Sequence, residues 1–221
     1  MGVVVPIVFF CALVALVLTA PRIGPVLDRR RTGAIAAELT ARHGFRPSSG
    51  DAPDLAGPPF HYGTGQRFTD EVTGSLAGLP LGSVGYRCRE NGSAHFYGVL
   101  LARLPAPVES PIEVRHEPAF HSTRVTEPLP APRVPSGAPF FDVRYEVYAN
   151  DAQLARAVLS AAGVEHLLTA PQPCSWRVEG TQLLLWRSGG WSSATALLGS
   201  VRAVTAALRP ALERHDAGVR E

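Results

Sequence analysis

The side chains with the most chemical potential in this chain are two cysteines and a few histidines and carboxylates, and their spacing decides what they could do. Cys88 and His95 flank Asn91-Gly92, a dipeptide that favours a type I′ turn. With that pair as a two-residue loop, Glu90 lies opposite Ser93, Cys88 opposite His95, Tyr86 opposite Tyr97 and Val84 opposite Val99. A thiol beside an imidazole is how a Cys/His nucleophile is arranged, but no third group is evident to orient the imidazole. His61 and Asp70 complete the raw material for an enzyme. Asp70 and Glu71 are adjacent, so in a strand they point to opposite faces and do not make a carboxylate pair.

Other motifs of chemistry are absent or damaged. The run His116-Glu117-Pro118-Ala119-Phe120-His121 carries one residue too many for HExxH and a proline where the metal-binding helix must run. There is no GxSxG, no GxxxxGK[ST] and no GxGxxG. The cysteines show no CxxC or other metal spacing. The sequence therefore assigns no catalytic, cofactor-binding or metal-binding residue, and neither a cofactor nor a metal is expected.

The elements that would position these residues form an α+β pattern with a mainly antiparallel sheet and an amphipathic C-terminal helix. Val3 to Ala20 is a run of 18 uncharged, mostly aliphatic residues. As a helix it spans roughly 27 Å, close to the hydrocarbon thickness of a bilayer. It starts without a basic residue and offers Leu18 where a cleavage site needs a small side chain, so a retained anchor is preferred over a cleaved signal of a secreted protein. Arg22, Arg29, Arg30 and Arg31 follow it and nothing basic precedes it, which places the C-terminal domain on the cytoplasmic side. The membrane is thus the expected partner, with the protein a single-pass protein of the cell membrane.

Residues 1–22 read as the anchor, 23–44 as a juxtamembrane helix or connector, 45–215 as one α+β domain, and 216–221 as a polar tail. Strands are expected over Arg67–Ser75, Gly82–Arg89 and His95–Leu104. Nine prolines from Arg103 to Pro139 predict a long surface loop over about 103–139. Phe140 to Tyr148 alternates as a strand, Asn150 is positioned to cap a following helix, and Ser175–Val178 with Thr181–Trp186 reads as a hairpin through Glu179-Gly180. The stripe Leu197, Val201, Val204, Leu208 and Leu212 predicts a closing helix, kinked or broken at Pro210.

Composition excludes one class of partner. All 21 basic residues are arginine, and a net charge of +2 is too small for a phosphate-binding surface, so nucleic acid is not expected. Arg103-Leu104-Pro105-Ala106-Pro107, the Phe141 to Tyr148 strand with the Asp151 to Leu159 helix, and Trp176-Arg177-Val178-Glu179-Gly180 with Leu183 to Arg187 resemble uncharacterised single-pass membrane-anchored proteins of high-GC Gram-positive, actinobacterial type. That resemblance implies an anchor followed by a domain of this length and carries over no catalytic residue. The preferred function is a membrane-tethered interaction or scaffold module with an unknown protein partner; the alternative is an enzyme of unrecognised type, recognisable if His61, Cys88, His95 and Asp70 converge in one pocket.

Overall fold

The structure, a computed structural model, describes residues 32–48, 64–90, 93–116 and 128–218. The expected anchor, His61, the 216–221 tail beyond Gly218 and most of the HExxH-like run lie outside them. No helix among the described residues is long and apolar enough to cross a membrane.

The fold is α+β, with one antiparallel six-stranded sheet. Helix α1 (32–43) leads into the two-residue strand β1 (Arg46–Pro47), followed by β2 (Thr64–Leu76), β3 (Leu79–Glu90) and β4 (Ser93–His116). After a helical turn α2 (Pro139–Asp142) come β5 (Tyr145–Ala149), helices α3 (Ala152–Val158) and α4 (Ala161–Leu168), strand β6 (Ser175–Ser188) and the long helix α5 (Ala194–Gly218). The order along the sheet is β1-β2-β3-β4-β5, with β6 also on β4. Val99 pairs with both Val84 and Trp186, and Ile112 with both Ala149 and Val178. A strand has two edges, so β3 and β5 share one edge of β4 while β6 occupies the other.

The hairpin register read from Asn91-Gly92 is the one observed, from Glu90↔Ser93 through Val84↔Val99. The proline-rich expectation needs correction, because the loop does not begin at residue 103. β4 continues to His116 through Pro105, Pro107 and Pro111. These prolines fall where β4 faces the gap between β3 and β5 and where its register with β6 shifts, between Arg103↔Gln182, Val108↔Gly180 and Ile112↔Val178. Bulged positions with no partner on one side are where a strand tolerates a residue lacking N–H.

The expected strand at Phe140 is likewise shortened. Pro139 sits in the first turn of α2, and Asp142 Oδ1 accepts a bond from the Ser136 amide, 3.0 Å. Phe141 is buried and stacks on Tyr145 at 4.6 Å, Phe140 is exposed, and β5 begins only at Tyr145. Asp151, not Asn150, caps α3, its Oδ1 accepting from the Gln153 and Leu154 amides at 2.7 and 3.1 Å. The expected hairpin at Glu179-Gly180 is one continuous strand, with Gly180 at φ 55 forming a bulge that β4 spans. α5 passes through Pro210 without breaking, and Ala207, Leu208 and Ala211 stay buried around it.

Both faces of the sheet carry apolar clusters. On one, Leu100, Ile112, Trp176 and Leu185 pack with the α5 stripe Leu197, Val201, Val204 and Leu208. α1 belongs to this core rather than serving only as a connector, since Ile35 and Leu39 are buried in it. Glu38 Oε2 also accepts a bond from the Ala194 amide, 3.0 Å, which holds α1 to the N-terminus of α5. On the other face, Val84, Tyr86, Cys88, Tyr97, Val99, Leu184 and Trp186 form a second cluster.

Candidate functional site

Three places bring reactive or polar side chains together. The first is the β3–β4 hairpin. Cys88 and His95 are cross-strand partners, and Cys88 is fully buried in the second apolar cluster. His95 Nε2 is buried and has no hydrogen-bond partner among the described residues. Burial and the neighbouring Cys88 thiol push the Tyr86 hydroxyl well above the ordinary phenol range, so it remains protonated.

Asp70 lies elsewhere. It has a positive φ of 55 in an irregular stretch of β2 between Thr69 and Val72, and it lines a small, partly enclosed cavity of about 10 Å³ with Thr32, Ser83 and Trp191. Trp191 Nε1 is buried there without a partner. That volume is about the size that holds one water. Asp70 is therefore separated from Cys88 and His95, and neither of those residues lines this cavity. His61 falls outside the described residues, so the convergence that would favour an enzyme is not found among Cys88, His95 and Asp70. Among the described residues, no group of three or more His, Cys, Asp or Glu could hold a metal ion.

The second place was not visible in the sequence as a motif. Glu113, Arg115 and Arg177 are all buried where β4 and β6 pair. Glu113 Oε1 lies 3.2 Å from Arg115 Nη1, and Oε2 accepts from Arg177 Nε at 2.6 Å and from the Leu129 amide at 3.1 Å. Arg177 Nη2 also reaches Oε2 at 2.5 Å. Burial pushes the Glu113 carboxyl up, while the two guanidiniums pull it back towards its charged form. The only sequence signal was alternation: Glu113 and Arg115 fall between Ile112, Val114 and the end of the strand, opposite Arg177. Next to it, Arg133 Nη1 reaches Glu146 Oε1 at 3.1 Å, and the Tyr148 hydroxyl donates to Glu146 Oε2 at 2.9 Å. Glu113, Arg115 and Arg177 are enclosed, whereas the Arg133 side chain of the neighbouring pair is 56% exposed.

The third place is an open trough of about 600 Å³ across β2, β3, β4 and β6, lined by Thr73, Pro80, Gly82, Leu101, Arg103 and Gln182 among others. His116, at the end of β4, packs edge-on against Tyr145 at 5.3 Å. Burial, with Arg187 and Arg144 nearby, holds its imidazole below the ordinary range. Its amide donates to Ser175 Oγ at 3.0 Å. It is a strand-end residue rather than the first ligand of a zinc helix.

Fold and site together define a class: an α+β domain with an antiparallel sheet, an apolar cluster on each sheet face and a long closing helix. Among solved structures, the crystal structure of the mycobacterial trehalose monomycolate transport factor A, TtfA, is similar to this chain. The two share a TM-score of 0.58 and 16% sequence identity over 82% of this chain and 95% of that one, a likeness of fold. No protein family matches the chain, and no curated relative does.

Proposed function

We propose that this chain is a membrane-tethered accessory domain of a transport assembly, acting as an interaction or scaffold module on the cytoplasmic side. The observation that carries this reading is the fold likeness to TtfA, a transport factor by name, over nearly the whole of that chain. A shared fold is only an analogy for function, but two features of this chain agree with it. Its Cys/His pair places Cys88 in an apolar cluster, with His95 Nε2 unpartnered among the described residues. The Val3–Ala20 run followed by four arginines supplies the tether and its orientation. The resemblance to single-pass actinobacterial proteins supports the same topology.

The test has two arms in the native host. A C-terminal tag on the full chain is expected to remain in the membrane fraction and to resist protease in intact cells; a shortened soluble product or cleavage from outside overturns the tether. Depletion of the protein is expected to shift radiolabelled envelope lipid from the outer layers towards the inner membrane. An unchanged distribution overturns the transport reading and leaves the tether standing.

A further inference from the structure

Among the described residues, the large apolar side chains left in solvent are Phe140 and Val143, 85% and 83% exposed. They lie three residues apart, Phe140 in α2 and Val143 at its C-terminal cap with helical backbone, so both stand on one side of the turn. Arg144, the next residue, is exposed as well, while Asp142, the carboxylate of this turn, accepts from the Ser136 amide. A single exposed apolar residue is ordinary. Two on one tight turn beside an arginine form a tip suited to a lipid surface.

The place of this tip follows from its neighbours. Tyr145 pairs with His116, and the His116 imidazole has both Arg144 and Arg187 close by. Arg187 Nη1 donates to Gly190 O, and Gly190 and Trp191 line the small cavity with Thr32 at the start of α1. The α2 tip and the start of α1 are therefore at the same end of the domain. α1 leads away from that end: a Cβ at Gly85 would meet Thr32 Cγ2 at 2.9 Å, and one at Gly74 would meet the Phe45 ring at 2.6 Å. The helix thus runs along β2 and β3 towards their turn at Ala77-Gly78, and its N-terminus points towards the β3–β4 hairpin.

The next rows of the sheet in that direction hold arginine. Arg67 and Arg87 are direct partners, and Arg89 follows on the same face. Like charges directly opposite destabilise a strand pair, and an anionic surface relieves that repulsion. Arg87 is half-buried with contacts of its own, whereas Arg67 and Arg89 are exposed. The Asp70 carboxylate is turned to the first turn of α1, its Oδ1 3.9 Å from where a Cβ on Gly33 would stand. The proposed anchor ends at Ala20, and residues 21–31, which include Arg22, Arg29, Arg30 and Arg31, reach at most about 40 Å when extended. The chain therefore enters the domain at the end that carries the apolar tip and the arginines.

We propose that this end of the domain docks on the anionic surface of the membrane that holds the anchor, with Phe140 and Val143 entering the headgroup layer and Arg67, Arg89 and Arg144 against lipid phosphates. The proposal rests on the tether of the proposed function and not on its transport role. An arginine near an anionic surface is worth about a factor of five in binding. The tether holds the domain at high local concentration, so contacts too weak to recruit a free domain are enough to orient a tethered one.

The test uses the full chain in vesicles of mixed phosphatidylglycerol and phosphatidylcholine, with a benzophenone amino acid at Phe140 or, as a control, at Gln182, exposed at the end where α1 finishes. Illumination is expected to give phospholipid adducts, read by mass, several-fold more from position 140 than from 182. Arg67→Ala with Arg89→Ala should lower the adduct at 140 by up to about 25-fold, at about fivefold per arginine, and vesicles of phosphatidylcholine alone should also lower it. Arg202→Ala with Arg209→Ala, both exposed on α5, should leave it unchanged. Equal yields at 140 and 182, or a yield at 140 unchanged by the Arg67 and Arg89 variant or by neutral lipid, overturns the docking, and a chain that still floats with the vesicles leaves the tether standing. A chain that does not float overturns the tether and the docking with it.

Discussion

Replacing Glu113 by glutamine keeps the shape of the side chain and removes the charge that two buried guanidiniums face. The carboxylate offers Oε1 to Arg115 and Oε2 to Arg177 and to the Leu129 amide. Glutamine retains one oxygen, so its NH₂ must face either Arg115 or Arg177, a donor against a donor. Removing one partner of a buried charge cluster costs about 3–5 kcal/mol, because the remaining charges stay desolvated. At roughly 2–4 °C per kcal/mol for a domain of this size, the melting temperature should fall by about 6–20 °C. Thermal unfolding of the full chain in detergent, followed by tryptophan fluorescence, reads this directly because Trp176 and Trp186 are buried in strand β6. A second variant separates charge from packing: Glu113→Met with Arg115→Met and Arg177→Met removes all three charges and should recover most of the loss. A drop under about 1 kcal/mol for Glu113→Gln would refute the reasoning. So would a triple variant no more stable than the single one.

Three further outcomes follow from individual contacts. A Cβ at Gly98 would sit 2.5 Å from Trp191 Cδ1 and 3.0 Å from the Gly190 backbone. Gly98→Ala should therefore cost about 1–3 kcal/mol, read as a lower denaturation midpoint with an unchanged slope. His116 has its folded pKa lowered, so between that value and about 6.5 the unfolded chain binds more protons and stability rises with pH. His116→Gln should flatten that part of the stability profile relative to the wild type, and an identical profile would exclude the assignment. Burial pushes the Cys174 thiol up to about 12, against the pull of Arg187, so iodoacetamide at pH 8 should leave Cys174 unmodified in peptide maps until urea unfolds the domain.

Local rules were strongest where a few neighbouring residues decide the geometry. With Asn91-Gly92 read as a two-residue loop, the pairing of Cys88 with His95 and of Val84 with Val99 followed, and that is the register the strands adopt. The α5 stripe was readable for the same reason, since a spacing of three and four residues puts Leu197, Val201, Val204 and Leu208 on one side of a helix whatever it packs against. Misreadings occurred where a local rule was overridden from a distance. Pro105, Pro107 and Pro111 look like a loop in sequence, yet β6 supports β4 along one edge while the other edge has no strand partner there among the described residues. Glu179-Gly180 looks like a hairpin turn because a glycine at positive φ serves a bulge as well as a turn, and only the length of β4 decides between them.

The same limit explains why the sequence yielded no site. Glu113 and Arg177 are 64 residues apart, and neither belongs to a motif; the register of β4 against β6 creates their contact. Cys88 and His95, by contrast, are near in sequence and pair across β3 and β4, with Cys88 in an apolar cluster and His95 Nε2 unpartnered among the described residues. Proximity alone does not assign acid–base work, which also needs the base within reach of the proton it takes.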